Sequence, residues 1–160
     1  MMKRVQLFEF EDFPWLPNWL RVSITNLIVI FNRTFGVPAL LAALIAPVLR
    51  EHKLRHVVDL GSGAGGSMPE VLTLLREEPD LVDVEMTLTD LYPNADALKT
   101  YNQPDMPHLR YEPKSVNATE VDTVPDGLRT MINSFHHLRP EQAKAVLGAA
   151  QASRQPFLIY

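Results

Sequence analysis

The sequence contains no cysteine among its 160 residues. That excludes a disulfide framework, a thiolate zinc site and a nucleophilic thiol, and it suits a cytoplasmic protein. Excess positive charge is also missing. The formal net charge is -4, and Lys3 and Arg4 are too few to make a basic arm, so nucleic acid is not an expected partner. No apolar run is long enough to span a bilayer: the most apolar segment, residues 37–49, falls well short of the roughly 20 residues required and carries prolines at 38 and 47. A buried helix is expected there, without a membrane partner. Acids interrupt the N-terminal stretch "MMKRVQLFEFEDFPW", where a secretory signal needs an unbroken apolar core. Internal repeats and low-complexity segments are lacking too, and the 13 prolines are scattered as punctuation.

What is present, 46% hydrophobic and 21% charged residues, fits one globular domain. Residues 15–35 carry Leu20, Ile24, Leu27, Ile28 and Phe31 at helical spacing, and Gly36 with Pro38 breaks the pattern before a second helix to about Glu51. The aromatic group Phe8, Phe10, Phe13, Trp15 and Trp19 is either a lid over a substrate or packing for the first helix. The period then changes. Strands are expected at "RHVVDLG", at residues 84–89, at 109–111, around 130–134 and at "PFLIY". Helices are expected at "SMPEVLTLLREEP", at "NADALKTYN" and from Pro140 onward. Alternation of this kind implies an α/β, doubly wound, mostly parallel sheet at residues 53–160, preceded by a helical extension at 1–52. The last strand leaves a sheet edge uncovered, so either a longer protein or a partner chain, identical or different, is expected to complete it.

In such sheets ligands bind beyond the carboxyl ends of the strands, so the residues after each strand carry the information. After the first comes "DLGSGAGG", which permits two readings. Gly61, Gly63 and Gly66 spell the G-x-G-x-x-G of dinucleotide binders, whereas Asp59, Gly61, Gly63 and Gly65 spell D-x-G-x-G. Asp59 weighs against the first, because it sets a carboxylate beside two phosphates. After the second strand comes "TDLYP", with Asp90 placed to pair with ribose hydroxyls or, alternatively, to cap the next helix. Asn117, after the third, offers a two-sided amide to a base or a ribose. "NSFHHL" follows at the fourth, with Ser134, His136 and His137 near the cleft. Either histidine is a candidate catalytic base, or it forms a wall of the pocket. No metal site is expected: the sequence has five histidines, no cysteine and no H-x-x-x-H pair within one helix.

Taken together, "VVDLGSGAGG", "LTDLYP" and "INSFHHL" resemble the class I S-adenosylmethionine-dependent methyltransferases of the small-molecule type over residues 55–160. The resemblance implies S-adenosyl-L-methionine as cofactor and a small-molecule acceptor. It implies that Gly61, Ser62, Gly63 and Gly65 hold the methionine portion with Asp59 hydrogen-bonding beside it. It further implies that Asp90 takes the ribose hydroxyls, Leu91 lies against adenine, Asn117 and Ala118 border the base, and Ser134 joins the cofactor site. Two departures stand out: the family commonly has an acid at the position of Asn117, and its fold continues with a further helix and an antiparallel strand pair. A non-catalytic methyltransferase-like subunit and a nicotinamide-dependent oxidoreductase are the competing expectations.

Overall fold

The computed structural model describes residues 31–120 and 123–160, with Pro17 and Leu27 in addition. Most of the helix expected at 15–35, and the whole aromatic group from Phe8 to Trp19, therefore lie outside the described residues; Leu27 and residues 31–34 are helical. Gly36 ends this stretch in the left-handed region at φ 70°, and Pro38 sits in the first turn of the next helix, α1, Val37–His52. A proline costs least there, because the first-turn amides have no partner within the helix. Leu41, Ala42, Ile45, Ala46 and Leu49 form the buried stripe of α1, recurring at helical spacing.

Strands and helices then alternate: β1 His56–Leu60, α2 Met68–Arg76, β2 Glu85–Thr89, α3 Ala95–Tyr101, β3 Leu109–Tyr111, β4 Leu128–Met131, a 3-10 turn Phe135–His137, α4 Pro140–Ser153 and β5 Phe157–Ile159. The sheet has 5 strands in the order β3-β2-β1-β4-β5. Every pairing is parallel, which gives the expected Rossmann-like class.

Side chains alternate between the two faces of each strand. Val57, Met86, Leu88, Leu109, Tyr111 and Leu128 pack with the stripes of α1 and α2 into the larger core. The helix α1 therefore shares its core with the sheet. Val58, Leu60 and Met131 face the other way and meet Val116 and Val124 of the β3–β4 connection, with Phe135 and Leu138 beside them. Asp59 is on the same face as Val57, so its carboxyl projects into the larger core, 2% exposed.

The fourth strand differs from expectation. It occupies Leu128–Met131 instead of a segment around 130–134. Its start is set by Gly127, where a Cβ would lie 2.4 Å from the carbonyl oxygen of His56, so only glycine lets the chain close on β1 at this point. Beyond the strand, Asn133 is left-handed at φ 54° and turns the chain, so Ser134 belongs to the loop above the sheet. No helix among the described residues is long and apolar enough to cross a membrane.

Candidate functional site

The strand order reverses between β1 and β4, and in an open parallel sheet that switch point makes a crevice at the carboxyl ends. The turn after β1 forms its floor. Gly61, at φ 71°, lies so close to the loop after β4 that a Cβ would come 3.0 Å from Ser134 Oγ. Gly65, at φ 99°, has the ring of Tyr101 against it, 2.7 Å from where a Cβ would stand. Both positions require glycine for conformation and for space.

A hydrogen-bonded clamp holds this turn to β2 and β4. The Ser62 amide donates to Thr89 O at 2.9 Å, and Ser62 Oγ donates to Asp59 Oδ2 at 2.7 Å while accepting from the Thr89 amide at 3.2 Å. Thr130 Oγ1 donates to Asp59 Oδ1 at 2.7 Å, and Thr89 Oγ1 donates to the Asp59 carbonyl at 2.9 Å. The register makes this possible by setting Asp59 beside Thr130 across the β1–β4 pair. Burial pushes the Asp59 carboxyl up to about 7; the charge of Asp90 adds to the effect, and the bonds from Ser62 and Thr130 oppose it.

Asp90, at the end of β2, belongs to the rim. Its Oδ2 accepts from the Gly63 amide at 2.8 Å and its Oδ1 from the Tyr92 amide at 2.8 Å. Each oxygen keeps a lone pair for a further donor. The alternative reading of Asp90 as a helix cap is corrected: Asn94 caps α3, its Oδ1 accepting from the Asp96 and Ala97 amides at 3.0 and 2.9 Å. Tyr111 braces the same turn, donating its hydroxyl to Gly63 O at 2.7 Å.

Above the crevice is a cavity of about 440 Å³, within the usual range for small-molecule sites. Of the residues singled out in the sequence, Gly61, Asp90, Leu91, Asn117, Ala118 and Ser134 line it. Asp59, Ser62, Gly63 and Gly65 lie outside the lining: Asp59 and Ser62 make the clamp, and Gly63 and Gly65 shape the turn. His136 and His137 are also outside the lining, exposed, with their rings stacked at 4.2 Å. Asn117 reaches the cavity wall, but its amide is engaged within its own loop. Its Oδ1 accepts from the Thr119 amide at 3.0 Å and from Thr119 Oγ1 at 2.8 Å, and its Nδ2 is 3.4 Å from Glu120 Oε1.

Sequence reasoning missed the clamp residues Thr89 and Thr130, the brace Tyr111, and the wall supplied by Leu138, Glu141, Gln142 and Val146 on and just before α4. The start of α4 was visible at Pro140, and a helix beginning beside the switch point is the signal that could have drawn attention to Glu141. The charged side chains of the lining are Asp90 and Glu141, with no lysine, arginine or histidine among the described residues. No group of three metal-ligating side chains occurs among the described residues.

No protein-family model and no curated protein matches the sequence. Solved structures do match in fold. An O-methyltransferase family protein from Burkholderia thailandensis superposes with a TM-score of 0.57 at 17% identity, over 82% of this chain and 37% of that one. An O-methyltransferase from neocarzinostatin biosynthesis, solved with S-adenosylmethionine and 2-hydroxy-5-methyl naphthoic acid, gives 0.54 at 22% identity, over 81% and 36%. Human N-acetylserotonin methyltransferase, solved with S-adenosylmethionine, gives 0.53 at 13% identity, over 92% and 41%. This chain thus spans well under half the length of each of these neighbours. The parallel sheet, the glycine turn at its switch point and these superpositions together give the chain the class I S-adenosylmethionine-dependent methyltransferase fold.

Proposed function

We propose that the cavity binds S-adenosyl-L-methionine and that the protein to which this chain belongs transfers its methyl group to a small-molecule acceptor. The observation that carries this reading is the charge of the cavity. Two carboxylates, Asp90 and Glu141, line it without a cationic side chain among the described residues. A dinucleotide would bring a pyrophosphate into that field and be repelled, whereas a sulfonium and an ammonium are matched by it. The volume of about 440 Å³ suits a nucleoside with an amino-acid tail.

The residues divide the work. Gly61, where the turn meets the cavity, lets the ligand approach the backbone, and Asp90, held by the amides of Gly63 and Tyr92, is aimed to accept from the ribose hydroxyls. Leu91, 45% exposed, offers an apolar surface to a base. Asp59 acts through the clamp, fixing Ser62 and with it the turn, as a positioning residue. When bound, the donor would supply a methyl group on a positive sulfur, an electrophile for an acceptor lone pair. Alignment and exclusion of water are what the protein must add, so a dedicated base is not required. His136 and His137 receive no role, because neither lines the cavity.

The small-molecule acceptor is inferred from neighbours that include O-methyltransferases. Calorimetry with S-adenosylhomocysteine, the demethylated product, and with NAD tests the cofactor. Micromolar binding of the first and none of the second is expected. The opposite order would replace the reading with that of an oxidoreductase.

A further inference from the structure

Adenine presents a 6-amino donor at its edge, and a pocket that selects adenine must answer it with an acceptor. The acceptors of Asn117, in the loop after β3, are already engaged. Asn117 Oδ1 accepts twice from Thr119, and the Asn117 carbonyl accepts from the Glu120 amide at 2.8 Å. The Val116 amide is tied in turn to the carbonyl of Asp90 at 2.9 Å. On the facing wall, Gln142 Oε1 accepts from the Arg139 amide at 3.0 Å, closing the first turn of α4. Glu141, from the same turn, lines the cavity opposite Asn117 and Ala118 and has no hydrogen bond or ion pair among the described residues. Among the described residues it is the one carboxylate of the lining not anchored by the protein, since both oxygens of Asp90 hold backbone amides.

Resting on the donor reading above, we propose that Glu141 is the base-specificity residue, accepting the adenine 6-amino group from the α4 side, while position 117 holds an amide whose oxygen is already engaged. Asn117 then shapes the loop and leaves adenine recognition to the opposite wall. A carboxylate also rejects the 6-oxo base: hypoxanthine puts a carbonyl oxygen where the amino donor stood, and two acceptors then face each other.

The test compares binding of S-adenosylhomocysteine and S-inosylhomocysteine to the full chain by calorimetry. One charge-assisted hydrogen bond predicts that the wild type favours the adenosyl ligand by roughly 10- to 100-fold. Glu141→Gln, whose amide can either accept or donate, narrows the preference to within about threefold, partly by improving the inosyl ligand. Glu141→Ala narrows it too, weakening the adenosyl ligand and relieving the inosyl ligand of the facing acceptor. Far-ultraviolet circular dichroism checks that both variants fold, as expected for an exposed side chain. An unchanged preference in both variants, or no preference in the wild type, overturns the proposal while leaving the donor reading intact. A wild type that binds neither ligand overturns the donor reading and the proposal with it.

Discussion

Asp59 and Asp90 end adjacent parallel strands, yet the fold gives them opposite environments. Asp59 is buried behind the turn with two hydroxyl partners. Asp90 stands at the cavity with two backbone amides behind it. Strand alternation alone accounts for the burial of the first, because a residue two places after Val57 must share its face. Replacing Asp90 with alanine removes the proposed ribose acceptor and leaves the Gly63 amide without its side-chain partner. Calorimetry should show S-adenosylhomocysteine affinity falling by roughly 10- to 100-fold, with the secondary structure retained. At Gly65 the expectation concerns stability. Alanine there combines a left-handed backbone with a collision against Tyr101, so denaturant unfolding should register a loss of about 1–3 kcal/mol. Adding Tyr101→Ala should cost less in that background than in the wild type, since it relieves the contact.

Among the elements, those whose signal is local were legible in the sequence. The glycine turn after β1, the acid after β2, the break at Gly36 and the start of α4 at Pro140 each follow from a few neighbouring residues. The elements misplaced are those set by distant partners. The bounds of β4 depend on Gly127 meeting His56. The place of Glu141 in the cavity depends on where α4 docks, which no periodicity encodes. Helix α1 likewise shows a stripe in the sequence without showing its partner. Its buried Ile45 packs into the same core as β1 and α2, whereas its neighbour Leu44 is 43% exposed. Ile45→Ala should therefore cost about 2–5 kcal/mol in urea unfolding, and Leu44→Ala within about 0.5 kcal/mol of nothing.

For the whole molecule, the buried Asp59 ties stability to pH. Its carboxyl titrates near 7 in the folded chain against 3.8 ordinarily. Between those values the folded state holds a proton that the unfolded state has released. Stability from this group is therefore full below about pH 4, declines as pH rises through that window, and levels off above about 7. The difference in stability between the wild type and Asp59→Asn, followed by urea unfolding from pH 4 to 8, should move steadily against the wild type; a flat difference would mean that Asp59 is ionised throughout. The same clamp supports the turn that a donor would approach, so fold and site share one set of bonds. The central claim is that this cavity accepts a cationic adenosyl donor at Asp90. One calorimetric series on the full chain tests it most directly, with S-adenosylhomocysteine titrated into the wild type and Asp90→Ala at neutral pH. Micromolar binding that weakens by roughly 10- to 100-fold in the variant is the predicted result; absence of binding to a folded wild type, or equal binding to both chains, would contradict it.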